Sequence, residues 1–274
     1  MTTLIAWVGA DQRGPASIRL AADSRISWNP SNRLVHTKWD FGKKLFASHT
    51  DPDIVGYCGD VLFPTQTLGQ IFELIDRGVF FPTNATPEEK LRLIVEALER
   101  SSAHYPQSET RDFTLLYGTR TSEGTPGKFN LYRVDYAGGN NVSTKEIPIP
   151  QKSGILARLG SGGDQFKRHL DRWEKSDVGG TSRAVFSSFA DFLKSGNDPK
   201  SGGPPQLTGL FRKGPAKAFG MVWNECRFLG GMELGNTEAN SKIEWYNEQF
   251  EICDPRTLKR RPIAQPQPRP FRTG

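Results

Sequence analysis

Short apolar runs alternate with polar turns along the first part of the chain. Residues 2–8 and 17–24 are two such runs, and a polar turn that contains Gly and Pro separates them. This pattern predicts a hairpin of two β-strands. A polar loop follows around residues 29–32, and the runs at 43–47 and 54–58 predict two further strands. We therefore expect the chain to begin with four strands and no helix.

The spacing of the apolar residues changes to that of a helix over residues 62–76. A second helix is expected after Thr86, because Thr86 can cap the first turn and Pro87 suits the first helical position. Two more helices are predicted, at residues 164–174 and 181–193. The later predicted strands are 113–117, 129–134, a segment that ends at 159, 216–223, 227–234 and 243–252.

These elements follow the order strands, two helices, strands, two helices, strands. Each amphipathic helix needs one apolar partner layer, and each sheet needs both faces covered. Two sheets packed face to face, with a helix pair outside each sheet, satisfy both conditions. The sequence therefore predicts an α+β fold, a four-layer α-β-β-α sandwich formed by a single domain over residues 1–253. A loop that begins with Pro204 and Pro205 is expected to run to Pro215.

Positive charge is concentrated at the C-terminal end of the 274-residue chain, whose formal net charge is +6. Residues 254–274 carry six Lys and Arg side chains against Asp254 alone, which leaves the rest of the chain close to neutral. This distribution argues against nucleic acid as the partner of the main domain. The same segment holds five prolines. Such a composition cannot form a core and predicts an extended, disordered tail.

Apolar residues make up 36% of the chain, which is enough for a folded core. No apolar run approaches the roughly 18 residues of a membrane span. The N-terminus also lacks the features of a signal peptide, so a soluble, cytoplasmic protein without a membrane partner is expected. The three cysteines, Cys58, Cys226 and Cys253, are far apart in the sequence. Their spacing predicts neither a disulfide framework nor a metal site, and no cofactor is expected.

Thr2 is the residue with the clearest catalytic potential. Met1 is followed by this small residue, so ordinary methionine removal would leave Thr2 with a free α-amine beside its hydroxyl. An α-amine has a pKa of roughly 7.7–8, so its neutral form can accept the hydroxyl proton near neutral pH. Thr2 alone would then supply both a nucleophile and a base.

Several polar motifs lie at the ends of the predicted strands. They are Ala-Ala-Asp-Ser-Arg at 21–25, Lys-Lys at 43–44, Gly-Tyr-Cys-Gly-Asp at 56–60, Gly-Ser-Gly-Gly at 160–163 and Asp-Pro-Lys-Ser-Gly-Gly at 198–203. In this order and setting they resemble the motifs of the proteasome β-subunit family of N-terminal-nucleophile threonine peptidases, which includes the bacterial heat-shock-locus peptidase. The resemblance covers most of residues 2–250.

The resemblance implies catalytic roles for seven residues and substrate contacts for two. The lysine of the family favours the neutral amine and the developing alkoxide of the nucleophile, and an aspartate holds that lysine charged and oriented. A glycine N–H forms the oxyanion hole, and three polar residues orient the N-terminal amine. The matching residues are Thr2 as nucleophile, Asp23 as aspartate, Lys44 as lysine, Gly59 as oxyanion donor, Ser161, Asp198 and Ser201 as orienting groups, and Ile26 and Cys58 at the substrate pocket.

Two of these assignments stay open in the sequence. Adjacent residues on a strand face opposite sides, so only one of Lys43 and Lys44 can point to Thr2. The segment lengths also admit Lys38 as the inward lysine. Residue 60 is an alternative oxyanion donor; many relatives have a second glycine there, and this chain has an aspartate.

The resemblance implies a threonine endopeptidase that cleaves the peptide bonds of polypeptides through an acyl-enzyme on Thr2. It also implies a homo-oligomeric ring and an ATPase unfoldase as a candidate partner. Two other functions remain open. One is an N-terminal-nucleophile amidase that acts on a small amide, and the other is a catalytically inactive assembly subunit with the same fold.

Overall fold

A computed structural model describes residues 2–28, 37–106, 112–121, 123, 128–137, 141–236 and 241–266. In these residues the chain forms four α-helices and sixteen β-strands. The helices are α1 (Leu62–Asp76), α2 (Pro87–Ala103), α3 (Gly163–Glu174) and α4 (Ser182–Ser195). The strands before α3 are β1 (Thr3–Asp11), β2 (Gly14–Ala22), β3 (Ile26–Trp28), β4 (Thr37–Trp39), β5 (Leu45–Ala47), β6 (Asp53–Gly59), β7 (Phe113–Arg120), β8 (Phe129–Ala137), β9 (Asn141–Glu146) and β10 (Gly154–Gly160). The strands after α4 are β11 (Gln206–Phe211), β12 (Lys217–Trp223), β13 (Cys226–Leu229), β14 (Met232–Leu234), β15 (Trp245–Tyr246) and β16 (Ile252–Cys253).

The larger sheet contains nine strands in the order β10-β1-β2-β11-β12-β13-β14, with β15 beside β12 and β16 beside β15. Strand β1 lies between β10 and β2, and it is antiparallel to both. Its alternating side chains are buried on both faces, because Leu4 and Ala6 pack in one apolar cluster and Ile5 and Trp7 in another. A strand buried in this way fixes the position of the N-terminus within the sheet.

The smaller sheet has the order β5-β6-β7-β8-β9 and is antiparallel throughout. Its apolar residues divide between two clusters. Ile54, Leu116 and Leu131 pack against the larger sheet, whereas Val55 and Leu115 pack on the side of α1 and α2. The strands of the smaller sheet are therefore buried on both faces, as expected for an inner layer.

The layers follow from these clusters. One cluster joins α3 and α4 to the larger sheet, a second joins the two sheets, and a third joins the smaller sheet to α1 and α2. The predicted four-layer α-β-β-α sandwich of the α+β class is confirmed. Among the helices of the described residues, none has the length and apolarity needed to cross a membrane.

The helices match their sequence signals closely. Helix α1 has the predicted bounds. Helix α2 begins with Pro87 and is capped by the Thr86 side chain, which accepts a hydrogen bond from Glu89 N. Helix α4 is capped in the same way by Thr181, whose side chain accepts from Ala184 N. These caps satisfy amide groups that the first turn leaves without a helical partner.

Five parts of the strand prediction were wrong. The polar segment after residue 25 contains the ribbon of β3 and β4, and β9 lies in a stretch for which we predicted no strand. The expected loop at 204–215 contains β11, which lies centrally between β2 and β12. The predicted strand 227–234 is two strands joined at a pair of glycines with positive φ, Gly230 and Gly231. The segment 243–252 likewise holds two short strands. Short polar or Gly-containing strands depend on cross-strand partners, which a local pattern does not reveal.

Residues 254–261 of the expected tail are held against the domain. Arg227 donates from its side chain to the carbonyls of Pro255 and Arg256. Arg261 N donates to Ile252 O at 2.9 Å. The expected extended segment is therefore not seen in this part, because backbone carbonyls give the arginines partners that composition does not show. Residues 267–274 of the tail lie outside the described residues.

Candidate active site

The candidate site lies at the ends of three neighbouring strands of the larger sheet, where the start of β1 meets the ends of β2 and β10. Thr3 is paired with Gly160, and Leu4 is paired with Ala22. The antiparallel arrangement therefore places the residues after β2 and after β10 beside the N-terminus. Gly160 is needed there, because a Cβ at this position would lie 1.5 Å from Thr2 O.

Asp23, directly after β2, is fully buried and accepts four hydrogen bonds. Its Oδ1 accepts from Thr3 N at 2.9 Å and from Lys44 Nζ at 2.9 Å. Its Oδ2 accepts from Arg25 N and from Gly202 N, both at 3.0 Å. A buried carboxylate is costly unless its lone pairs are satisfied, and here they are. Asp23 therefore ties the first residues of β1 to a lysine and to the loop before β11.

Lys44 is the lysine at Asp23. It is fully buried, and its Nζ donates to Asp23 Oδ1 and, at 2.6 Å, to the carbonyl of Arg25. Burial lowers the pKa of Lys44, and the neighbouring charge of Asp23 opposes that shift. The ammonium thus has an anionic partner in the interior of the protein.

The two other lysines considered from the sequence lie elsewhere. The Lys43 Nζ sits over the Phe46 ring, 4.4 Å from its centroid. Lys38 is in β4 and exposed. Lys44 is therefore the lysine that the structure places at Asp23.

A second polar cluster lies on the other side of the N-terminal residues. Ser161 and Ser201 each donate a hydroxyl hydrogen bond of 2.7 Å to Asp198 Oδ2. The hydroxyl of Thr3 lies 2.7 Å from Ser201 Oγ. Because Ser201 donates to the carboxylate, Thr3 is the donor in that contact. Burial alone would raise the pKa of Asp198, but the two serine hydrogen bonds hold it below the ordinary value.

Thr2 and Thr3 are both buried, yet their hydroxyls are in different situations. Thr3 Oγ1 is engaged with Ser201, whereas Thr2 Oγ1 has no hydrogen-bond partner among the described residues. The main chain of Thr2 is fixed, because its carbonyl accepts from Ser161 N at 3.2 Å. Thr2 therefore presents a hydroxyl that no structural hydrogen bond uses. Met1 lies outside the described residues.

Gly59 ends β6 with a φ of +113°, a conformation that favours glycine. A Cβ at this position would lie 2.4 Å from Asp112 O. The next amide is already used, since Asp60 N donates to Asp112 O at 2.8 Å. This geometry removes residue 60 as an oxyanion donor and leaves Gly59 as the candidate.

Ile26 and Cys58, expected at a substrate pocket, are in different places. Ile26 lines a cavity of about 990 Å³ that also reaches Gly59. Cys58 is 6% exposed and belongs to the apolar cluster between the two sheets. Burial raises the pKa of its thiol to about 11. Cys58 is therefore a core residue, and the predicted pocket contact is not seen in this structure.

Gln206 is a site residue that the sequence analysis missed. It is buried at the start of β11, and its Nε2 donates to Asp23 O, Ser24 Oγ and Gly42 O at 2.8–3.2 Å. Its Oε1 accepts from Lys44 N at 3.0 Å. One side chain thus joins the segment that carries Asp23 to the segment that carries Lys44. The two prolines directly before Gln206 favoured a loop over a strand in the sequence. No local pattern indicates that Gln206 joins these two segments.

An ion pair beside the site was also missed. Arg25 makes a two-pronged contact with Asp40, at 2.7 Å from Nε and 2.8 Å from Nη2. Its Nη1 donates to the carbonyl of Ser201 at 3.3 Å. The Ser-Arg pair of residues 24 and 25 was visible in the sequence, but its partner after β4 was not. Arg25 connects the β3–β4 segment to the loop that carries Ser201.

Comparisons with known proteins give structural likeness only. No protein-family model matches the chain, and no curated protein matches it. The fold is similar to Anbu (ancestral beta-subunit) from Yersinia bercovieri, at 14% identity and a TM-score of 0.48 over 78% of this chain and 82% of that one. It is similar to eukaryotic HslV from Trypanosoma brucei, at 16% identity and a TM-score of 0.44 over 76% and 99%. It is also similar to an Anbu (Gly-1) mutant from Hyphomicrobium sp. strain MC1, at 15% identity and a TM-score of 0.46 over 76% and 80%.

Proposed function

We propose that the protein is an N-terminal-nucleophile hydrolase that cleaves peptide bonds with Thr2 as its nucleophile. The observation that carries the proposal is the surroundings of Thr2. Its buried hydroxyl has no hydrogen-bond partner among the described residues, and the adjoining residue Thr3 is bonded to Asp23 on one side and Ser201 on the other. An unused hydroxyl beside a buried Asp–Lys pair is a suitable arrangement for nucleophilic catalysis.

The mechanism begins with removal of Met1, because the nitrogen of Thr2 is otherwise an amide and cannot act as a base. The freed α-amine takes the proton of the Thr2 hydroxyl, and the oxygen attacks the carbonyl carbon of the scissile bond. The same amine then protonates the leaving nitrogen. An acyl-enzyme on Thr2 Oγ1 results, and water activated by the amine hydrolyses it.

Lys44 and Asp23 serve the charged states of this reaction. A positive Lys44 near the N-terminus disfavours protonation of the α-amine and stabilises the developing alkoxide. Asp23 holds that lysine in place through its 2.9 Å contact and also anchors Thr3 N at 2.9 Å. Because both side chains are fully buried, their charges act with little screening by solvent.

The Ser161–Asp198–Ser201 cluster orients the N-terminus. Ser161 N holds the carbonyl of Thr2, and Ser201 Oγ holds the hydroxyl of Thr3. Asp198 fixes both serines with 2.7 Å hydrogen bonds. Gly59 N–H is the proposed oxyanion donor, a contribution worth about a hundredfold or more in rate. No step in this scheme calls for a metal or an organic cofactor.

We further propose that the substrate is a polypeptide and that the chain assembles into a homo-oligomeric ring served by an ATPase unfoldase. This part rests on the motif resemblance in the sequence. Exposed apolar side chains such as Val79, which is 69% exposed, would suit a contact between subunits. Light scattering during gel filtration tests the assembly: a ring supports it, and a monomer or dimer favours the small-amide amidase.

The activity is tested with fluorogenic peptide amides and three forms of the full chain. Wild type is expected to release the fluorophore. Thr2→Ser keeps a hydroxyl and an α-amine at residue 2 and should remain active, whereas Thr2→Ala should lose at least about a thousandfold in kcat/KM, as expected when a nucleophile is removed. Equal rates in wild type and Thr2→Ala would exclude Thr2 as the nucleophile.

A further inference from the structure

The cavity of about 990 Å³ beside the site has an apolar mouth. Its walls come from the β3–β4 ribbon, the segment before β5, the start of α1 and the β13–β14 turn. Eight large hydrophobic side chains are exposed in the described part of the chain. Five of them line this one cavity: Trp28, Trp39, Phe41, Leu62 and Met232. Such a concentration marks a binding surface, because single exposed apolar residues are normally scattered.

The ribbon places its two tryptophans at this mouth in a defined geometry. Trp28 is paired with Thr37, and Ile26 is paired with Trp39. The Trp39 ring lies 6.3 Å from the Phe41 ring, tilted by 49°. Trp28 and Trp39 are 50% and 46% exposed. Two large rings are thus held on a short antiparallel ribbon with half of their surface open to a ligand.

The cavity reaches one of the proposed catalytic residues, Gly59. Ile26 packs over Gly42, where a Cβ would come within 2.6 Å of the Ile26 side chain. Gly42 N donates to Ser24 O at 2.9 Å, and Gly42 O accepts from Gln206. Gly59, the proposed oxyanion donor, lines the same cavity. The cavity therefore extends from the ribbon to the residue at which the carbonyl oxygen of the scissile bond would be bound.

We infer that the β3–β4 ribbon is the substrate-selecting element and that it binds a large aromatic or aliphatic side chain of a polypeptide close to the scissile bond. The inference rests on the proposed function and names its substrate class. The cavity is at the upper end of the roughly 300–1,000 Å³ of ligand pockets, so it has room for several residues of an extended peptide. Its charged wall residues include Lys43 and Asp60, of opposite sign, so neither charge is favoured.

The test compares fluorogenic tetrapeptide amides that differ only in the residue before the scissile bond: Tyr, Leu, Arg or Asp. Wild type should prefer Tyr and Leu. Trp28→Ala and Trp39→Ala should each raise KM for the Tyr substrate about tenfold, as expected for loss of a well-packed aromatic contact, and leave kcat within about threefold. Trp28→Phe and Trp39→Phe should restore most of the preference. Leu74→Ala, an exposed apolar residue of α1 outside the cavity, should change nothing.

A binding measurement separates this inference from the proposed function. Fluorescence polarisation with a labelled, Tyr-containing peptide is measured on Thr2→Ala, which retains the cavity. Binding that is lost on adding Trp28→Ala supports the ribbon whether or not wild type cleaves any peptide. Cleavage by wild type with an unchanged Tyr-to-Asp ratio in both tryptophan variants would overturn the ribbon inference while leaving Thr2 as the nucleophile. Absence of both peptide binding and any side-chain preference would also overturn it.

Discussion

Two Lys–Asp pairs with a fully buried aspartate occur in the described residues, and they differ in what lies beside them. Lys44 and Asp23 are both fully buried, and the same carboxylate oxygen that binds Lys44 also binds Thr3 N. Lys90 reaches from α2 to Asp53 at 2.7 Å. Burial of an ion pair does not by itself indicate a catalytic site, because structural ion pairs are also buried. The first pair is distinguished by its link to the chain start.

The partners of the second pair are structural. Asp53 Oδ1 accepts from the hydroxyl of Tyr117 at 2.5 Å, and Lys90 Nζ sits over the Phe81 ring at 4.8 Å. Burial, with the charge of Asp53 and its hydrogen bond, raises the pKa of Tyr117 well above its usual value, so this phenol stays protonated as a donor. The pair joins α2 to the smaller sheet. The comparison teaches that the contact with the first residues of β1, rather than burial, sets the proposed catalytic pair apart from a structural one.

The largest expected effect comes from breaking each pair at its lysine. Lys44→Met should reduce kcat/KM by at least about a thousandfold in protein that still folds, because the charge near the nucleophile is lost. Lys90→Met should cost stability of about 3–5 kcal/mol, the usual penalty for leaving one buried partner alone, with kcat retained below the unfolding temperature. Peptide hydrolysis and thermal unfolding of both variants check this. Equal loss of activity in both would erase the distinction.

A smaller effect is expected from the orienting carboxylate. Asp198→Asn keeps the shape of the side chain but removes the charge that accepts from Ser161 and Ser201, so kcat should fall about a hundredfold, within the range for a general-base arrangement. Asp53→Asn is the matched change in the second pair and should lower the unfolding temperature without that loss of kcat. Unchanged kcat in a folded Asp198→Asn protein would remove Asp198 from the mechanism.

Gln206 should affect the rate by positioning the segments that carry Asp23 and Lys44. Gln206→Glu keeps an acceptor for Lys44 N but loses the donors to Asp23 O and Gly42 O, so kcat should fall about tenfold, the equivalent of roughly 1.4 kcal/mol. The pH profile of kcat should also shift, because the new carboxylate lies beside the Asp23–Lys44 pair. Gln70→Glu, on the exposed face of α1, is the control and should leave the rate and profile unchanged. A Gln206→Glu protein with a normal profile would indicate a purely structural side chain.

The smallest expected effect is on the pH dependence of the free energy of unfolding, which the charge of Lys44 should change through the Cys58 thiol. The folded-state pKa of Cys58 is raised to about 11 by burial, while the charge of Lys44 lowers it. A raised folded-state pKa stabilises the fold fully below the ordinary thiol pKa, and this stability is lost as pH rises through about 11. Urea unfolding of Cys58→Ala should show a flatter fall with pH in the range above 9. Lys44→Met should steepen the fall, and Lys90→Met should not.

The sequence predicted the layers, and it indicated most of the residues that the structure brings together at the candidate site, because those features are local. The caps at Thr86 and Thr181, the apolar periods of α1 and α2, and the polar motifs after β2 and β10 are all short patterns. Asp23 and Lys44 could be named because each ends or begins a strand. The features that the sequence did not predict depend on contacts between segments that are distant in the chain. The choice of Lys44 over Lys43 required the side-chain directions.

Gln206 illustrates the same limit. Its four partners lie on segments more than 160 positions away in the chain, so no spacing rule links them. Cys58 was misplaced for a related reason. Its position in the strand suggested a pocket, but the packing of the second sheet against Leu4 and Leu20 places it in the core between the sheets.

The most direct measurement is intact mass spectrometry of the full chain before and after treatment with a peptide epoxyketone, followed by mapping of the modified residue. This reagent closes a ring with the hydroxyl and the α-amine of one residue, so it reports both groups together. The proposed nucleophile predicts loss of Met1 and a single adduct on Thr2, absent from Thr2→Ala and strongly slowed in Lys44→Met. A retained Met1, or a free Thr2 that never forms the adduct, would contradict a catalytic N-terminal threonine.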